Sequence, residues 1–348
     1  MTGSATTQLR QETGEIPDRV AAQIADRRDA FAQAGAVLRR HDPQMLVTVA
    51  RGSSDHAATY LKYLCEMTAG RPVASVGPSI ASVYARNLQL TGAACISISQ
   101  SGKSPDLIAF QDMARRARAL TLALVNTSPS PLANGADTAI DIGAGPEHAV
   151  AASKSYVCSL SAMAGLVGAW TQSEALTTAL AHTPDRLRAA LSCDWSALVP
   201  AASTARSLYV IGRGPGFAIA QEAALKFKET CQIHAESYSS AEVMHGPIQL
   251  AANGLVALVF LSRDEARAGL LEAAARLAAS GAQVFVADPL GEEQGQAITP
   301  LPCVAAAAPL LDPLCQITSF YRFIEHLAGA LGFDPDAPQL LNKVTETL

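Results

Sequence analysis

The strongest constraint on the fold is a series of short aliphatic runs that occurs twice. "MLVTVA" (45–50) leads through a glycine turn into a helical pattern, and "PVASV" (72–76), "AACISIS" (93–99), "LTLALV" (120–125) and "TAIDI" (138–142) follow. In the second half "SLYVIG" (207–212), "LVALVFLS" (255–262), "AQVFVAD" (282–288) and "PCVAA" (302–306) repeat that order roughly 162 residues later. Runs of this kind separated by helix-length stretches need crossover connections, so they pair in parallel and are covered on both faces. A period this long is a duplicated domain and not a solenoid repeat. The expected fold is therefore α/β, with two tandem doubly wound parallel-sheet domains (three-layer α/β/α) over 45–172 and 201–332. A helical segment over 1–44 precedes them, with a leading helix at 17–41; linker helices over 173–200 join them; a tail over 333–348 ends the chain. The apolar "KSYVCSLSAMAGLVGAW" (154–170) reads as a long helix closing the first domain.

Composition narrows the function classes. An apolar fraction of 49% with 16% charged residues describes a globular chain with a large core, and a net charge of -5 without basic clusters gives no reason to expect nucleic acid. Any anion must be gripped locally. The seven cysteines form no CxxC pair and lie mostly in apolar runs, which predicts reduced, buried thiols and no metal site. The first residues are polar, without a signal-peptide core, and no apolar run approaches the ~20 residues of a membrane span. The expectation is a cytoplasmic protein without membrane contact.

Two segments carry chemistry. In "ISISQSGKSPDL" a buried strand runs into hydroxyls around one glycine. Ligands of open parallel sheets bind beyond the carboxyl ends of strands, and a helix N-terminus offers free N–H groups to an anion. Ser99, Gln100, Ser101 and Ser104, with Pro105 suited to the first helical turn, would ring a phosphoryl group with neutral donors. The turn "RGSSDHA" after the first strand adds Gly52, Ser53 and Ser54. The plainer alternative is that these serines are helix caps. There is no GxxxxGK[ST] loop, and "IGRGPGFAIA" (211–220) only approaches a dinucleotide pattern, so a small phosphate ester is favoured over a nucleotide.

The other segment is "QEAALKFKETCQIHAESYSSAEVMHGP" (221–247). On a helix Glu222, Lys226 and Glu229 share one face at i, i+4 and i+7; they form either a solvated stripe or, given the alanines around them, a buried and tunable cluster. His245 lies in a loop signal before a strand, where an imidazole can exchange protons near neutrality. The remaining histidines read as structural, with His234 a weaker candidate for orienting the helix end.

The motifs "SISQSGKSPD", "GPEHAVAASK", "EAALKFKETCQIHAESYSSAEVMHGP" and "PQLLNKVTETL" together resemble the sugar isomerase (SIS) family, in particular its aminotransferase isomerase halves and stand-alone glucosamine-6-phosphate deaminases. The resemblance runs from about residue 10 to the last residues. It implies that Ser99, Gln100, Ser101 and Ser104 form a phosphate loop with Gly52, Ser53 and Ser54 beside it, and that Ser153 also binds substrate. It further implies that Glu229 moves a proton between C1 and C2 of an open-chain sugar, that Lys226 supports it, that His245 opens the ring, and that Lys343 reaches the sugar oxygens. Relatives contribute the histidine across a dimer interface, so a homodimer sharing His245 is expected. Ala152 and Arg51 depart from the family pattern, which has serine and cysteine there. Thr2 stands where the aminotransferase has a glutaminase nucleophile, so glutamine hydrolysis is not expected. The implied activity is conversion of glucosamine 6-phosphate to fructose 6-phosphate and ammonia without cofactor or metal. The alternatives are a ketosamine-6-phosphate deglycase, another phosphosugar isomerase, or a non-catalytic sugar-phosphate sensor; no basic helix-turn-helix precedes residue 45 to support the last.

Overall fold

A computed structural model describes residues 6–293, 295–341 and 343. It divides into two compact units, one of residues 18–146 and 154–181, the other of 6–17, 147–153 and 182–343. Each contains a five-stranded, wholly parallel sheet.

In the first of these units the strands are β1 (Leu46–Val49), β2 (Val73–Ser75), β3 (Ala94–Ser99), β4 (Leu120–Val125) and β5 (Thr138–Asp141), in the order β2-β1-β3-β4-β5. Every residue of β1 and β3 is buried, as strands covered on both faces must be. The chain enters through α1 (Gln8–Asp26) and α2 (Arg28–His41), and α3 (Ser53–Thr68) follows β1. Next come α4 (Ser79–Ser82), α5 (Pro105–Arg116), α6 (Pro131–Gly135) and α7 (Lys154–Thr171). Val47, Val49, Cys95, Ala123 and Val125 pack on Leu107, Phe110, Met113 of α5 and Leu132 of α6. The alternate strand side chains point the opposite way, to the face where α3 packs on β1 and β3 and on α7, which in turn packs on α2.

The expected single helix at 17–41 is two helices. Arg27 leaves helical geometry at φ -108° and ψ 7°, and its guanidinium pairs with Asp141 at 2.8 Å. The start of α1 at Gln8 is set from far away, because the Asp336 carboxylate accepts the orphan N–H groups of Gln8 and Leu9 at 2.5 and 2.8 Å.

In the other unit, α8 (Glu174–Ala181) having closed the first, α9 (Thr183–Ala190) and α10 (Val199–Thr204) lead to β6 (Leu208–Gly212), α11 (Pro215–Cys231), β7 (Ala235–Ser239) and β8 (Val256–Phe260). Then follow α12 (Arg267–Ala279), β9 (Gln283–Ala287), β10 (Ile298–Leu301) and α13 (Asp312–Ala330). The order β10-β9-β8-β6-β7 is that of the first sheet read in reverse. The register matches as well: Leu46 faces Val73 and Ala94, and Leu208 faces Ala235 and Val256, each partner 162 positions further on. One sheet face packs on Leu270, Ala273 and Leu277 of α12; on the other, α11 lies between β6 and α13.

Two strand assignments differ from expectation. Residues 302–306 form no strand, because their carbonyls are taken by side chains: Trp195 Nε1 donates to Pro302 O at 2.7 Å and Arg263 Nη2 to Ala306 O at 2.8 Å. The edge strand lies just upstream as β10, where Pro300 is tolerated because an edge needs no second ladder. Strand β7 was hidden by its polar sequence "AESYS".

No helix among the described residues is long and apolar enough to cross a membrane. All seven cysteines are free, five of them buried; burial pushes the Cys65, Cys95 and Cys231 thiols up to about 12, which leaves them protonated and inert.

A steric prediction follows from the helix packing. A Cβ on Gly35 of α2 would lie 2.7 Å from backbone atoms of Ala169 and Trp170 in α7, whereas one on Gly14 of α1 meets nothing within 4 Å. Gly35→Ala should lower stability by about 1–3 kcal/mol, and Gly14→Ala should raise it by about 0.5–1 kcal/mol through helix propensity, both read from urea unfolding.

Candidate active site

In the β1–β5 unit the order reverses between β1 and β3, whose following helices α3 and α5 cover opposite faces of the sheet. That switch point is where such sheets leave a crevice. The turns after these two strands carry Gly52, Ser53 and Ser54 on one side and Ser99, Gln100, Ser101 and Ser104 on the other. They adjoin: Arg51 Nε and Nη2 reach Asp106 Oδ2 at 2.9 and 2.8 Å, and Asp106 is fully buried while the Arg51 side chain is half exposed.

Each turn has a local cause. Gly52 ends at φ 53° and ψ -133° as it enters α3, a conformation open to glycine. Gly102 sits at φ 64°, where a Cβ would fall 2.7 Å from Ser130 Cβ. Its N–H donates to Ser99 Oγ at 3.0 Å, and its carbonyl accepts from Leu132 N at 3.1 Å. Ser104 is the extended residue before α5, with Pro105 following, and makes no side-chain cap. The cap alternative therefore does not explain its hydroxyl. Gln100, Ser101, Ser53 and Ser54 are partly exposed.

In the β6–β10 unit, α11 carries the acid–base cluster. Lys226 is 1% exposed; its ammonium lies 3.4 Å from Glu222 Oε1 and also donates to Glu229 Oε2. Glu222 is fully buried and accepts from Tyr321 Oη of α13 at 3.0 Å. Glu229 alone is open, at 23% exposure. Burial by itself would lower the Lys226 pKa, but Glu222 and then Glu229 outweigh it, and the net shift is upward. Lys226 is thus a fixed cation between a buried carboxylate and an accessible one.

Elsewhere in this unit, Lys343 Nζ donates to Glu147 Oε2 at 3.1 Å and to Ala149 O at 2.6 Å. Glu147 Oε1 accepts from Ser153 N at 3.1 Å, while the buried Ser153 hydroxyl has no partner among the described residues. The preceding segment is stapled by Glu12, whose carboxylate accepts from His148 N and Ala149 N. His245 ends a short 3₁₀ helix (Glu242–His245) and is exposed. Among the described residues it has no hydrogen bond to the Lys226 cluster. His234 only meets Ser207 Oγ, at 3.2 Å. No group of side chains suited to a metal ion occurs among the described residues.

The model of the SIS domain matches residues 41–167 and 203–287, more than half of the chain. The chain belongs to the SIS domain family. Among its relatives, the glutamine--fructose-6-phosphate aminotransferase [isomerizing] of Aeropyrum pernix is 34% identical over 86% of this chain and 50% of that protein. The chain thus spans about half the length of that curated relative. A crystal structure from Silicibacter pomeroyi DSS-3, provisionally described as a phosphosugar isomerase, is 46% identical with a TM-score of 0.90, covering 95% of this chain and 100% of that one. The C-terminal domain of glucosamine-fructose-6-phosphate aminotransferase from Francisella tularensis shares the fold at TM-score 0.81 and 22% identity, over 96% and 99% of the two chains.

Several residues of this SIS chain escaped the sequence reading. Tyr321 gives no local signal, being 99 positions from Glu222. Glu12 and Glu147 act through backbone groups of a loop, which no side-chain spacing reveals. The Arg51–Asp106 pair could have been suspected from an arginine and an aspartate flanking the two serine turns.

Removing the buried cation tests the cluster. Lys226→Met leaves Glu222 and Glu229 without their counter-charge and should cost about 3–5 kcal/mol of unfolding free energy. Because the folded pKa of Lys226 is raised above 10.5, its stabilisation is intact below that pH and is lost as pH rises through the folded value. The wild-type protein should therefore lose stability with rising pH more steeply than Lys226→Met, in unfolding curves measured from about pH 10 upward.

Proposed function

We propose that the chain is a phosphosugar aldose–ketose isomerase that releases ammonia, converting glucosamine 6-phosphate and water to fructose 6-phosphate and ammonium. The observation that carries this reading is the graded exposure along α11: Glu222 and Lys226 buried, Glu229 open. A reachable carboxylate paired with a buried ammonium is suited to abstracting a proton beside a carbonyl or imine. The names of the similar aminotransferases and of the similar phosphosugar isomerase support the substrate class.

In this mechanism the serine turns of the β1–β5 unit hold the phosphoryl group through hydroxyl and N–H donors. His245 moves the proton that opens the pyranose, giving an aldehyde at C1 with the amine at C2. Glu229 takes the C2 proton, the C1–C2 bond becomes double, and the C1 oxygen becomes a hydroxyl. Protonation at C1 then yields the C2 imine; water adds at C2 and ammonia leaves. Glu229 holds the proton between the two transfers with Lys226 as its hydrogen-bond partner, and Lys343 donates to sugar oxygens after leaving Glu147. Each proton transfer contributes on the order of 10²- to 10⁴-fold. No step calls on a cofactor.

The purified chain should release ammonia from glucosamine 6-phosphate. Glu229→Gln should lower kcat by at least about 10²-fold with KM little changed, and Ser101→Ala/Ser104→Ala should instead raise KM. Release of an amine from a ketosamine 6-phosphate, or aldose–ketose exchange without ammonia, would move the assignment to those alternatives. Absence of turnover on all three would overturn it in favour of a sugar-phosphate sensor.

We also propose a homodimer in which His245 serves the partner's site, a role that fits an exposed imidazole. Mixing inactive His245→Ala and Glu229→Gln proteins under subunit exchange should restore roughly a quarter of wild-type activity, since hybrid dimers keep one intact site. No recovery despite demonstrated exchange would mean that His245 acts within its own chain.

A further inference from the structure

The β6–β10 unit contains a cavity of about 490 Å³ formed by the start of α1, the segment before α10 and the outer side of α13. Arg10, Arg322 and His326 line it, with Asp194, Trp195 and Phe323. None of these residues takes part in the reaction proposed above.

The carboxylates in and beside this cavity are engaged elsewhere. Glu325, the carboxylate nearest the two arginines, is already committed: it accepts from Thr7 Oγ1 at 2.9 Å and from Arg10 Nη1 at 3.1 Å. Asp194 is turned onto its own loop, accepting from Ser196 N and Ser196 Oγ, both at 2.9 Å. Those bonds hold its carboxyl below the usual range. Arg322 has no hydrogen-bond acceptor among the described residues. Burial, followed by the charge of Arg10, pushes its pKa down, against a smaller opposing effect of Glu325. His326 is exposed one helical turn along the same side of α13.

We propose that this cavity binds a phosphate monoester dianion, with Arg322 supplying a bidentate fork and Arg10 and His326 completing the grip. The Arg322 guanidinium, which no carboxylate engages by a hydrogen bond among the described residues, offers a planar fork that matches the oxygens of such a group, whose charge near neutrality is about -2. The volume lies within the range of small-molecule pockets and exceeds what a bare phosphate fills. Trp195 and Phe323, both nearly buried, give the carbon skeleton an apolar wall. None of its lining residues belongs to the serine turns.

Equilibrium dialysis of the full chain against glycerol 3-phosphate, with inorganic phosphate as a second probe, tests this. Wild-type protein should bind two equivalents per chain. Arg322→Gln should lose one of them while its turnover without added phosphate stays unchanged. Ser101→Ala/Ser104→Ala should lose the other. Arg322→Lys, which keeps the charge without the fork, should bind at least tenfold more weakly at this site. Without ligand, Arg322→Gln should melt at the wild-type temperature, so that any loss of binding is not loss of fold. Unchanged stoichiometry in Arg322→Gln overturns the proposal, as does binding of inorganic phosphate as tightly as the ester, which would remove the organic ligand. If only the Arg322 variant changes the count, this site stands and the phosphate role of the serine turns fails.

Discussion

The ammonium of Lys226, buried between Glu222 and Glu229, governs the architecture of the β6–β10 unit. An isolated ion in such a place costs several kcal/mol of lost hydration, and its partners must be fixed before it can be tolerated. That requirement accounts for the local sequence. Ala218, Ala220, Ala223 and Ala224 let α11 pack closely against its surroundings. Phe227 meets Phe320 and Phe323 of α13 edge-on, with centroids 5.4 and 6.0 Å apart. Tyr321 on the same helix completes the hydrogen bonding of Glu222. Burial is graded along the cluster: the inner carboxylate anchors the cation, and the cation pairs with an outer carboxylate that stays accessible.

The duplicated fold has been put to two uses. Gly52 and Gly214 occupy equivalent points 162 residues apart with nearly the same backbone angles, φ 53° and ψ -133° against φ 58° and ψ -138°. Beyond that the halves diverge. The serines after Gly52 become Pro215 and Gly216. Past β8, where the first unit has its hydroxyl turn, Arg263 forks onto Asp312 with both bonds at 2.7 Å, and Arg267 forks onto Asp288 with both at 2.8 Å. Arginines already matched to carboxylates leave no uncompensated donors for an anion. The first unit carries hydroxyls at its strand ends, and the second carries the buried cluster of α11.

Much of this was legible in the chain, for a physical reason. Strands covered on both faces are uniformly apolar, so β1, β3, β4, β6, β8 and β9 announce themselves, and their spacing reveals the duplication. The spacing of Glu222, Lys226 and Glu229 put them on one helical face, although burial was needed to separate a cluster from a surface stripe. Elements stabilised by distant partners were not legible. The start of α1 depends on Asp336, the loss of a strand at 302–306 depends on Trp195 and Arg263, and β7 is an edge strand with a polar sequence. Glu12 and Glu147 act on main-chain groups, so their roles lie in the loop they hold.

The most direct measurement follows the fate of one hydrogen. Glucosamine 6-phosphate labelled with deuterium at C2 is incubated with excess protein, and NMR reports where the label goes. If the Glu229 carboxylate moves that hydrogen, the wild-type protein carries the label to C1 or into water, and Glu229→Gln leaves it on C2 while still binding the substrate. Departure of the label from C2 at the wild-type rate in Glu229→Gln would contradict the account, because the carboxylate fixed by Lys226 would then have no part in the transfer.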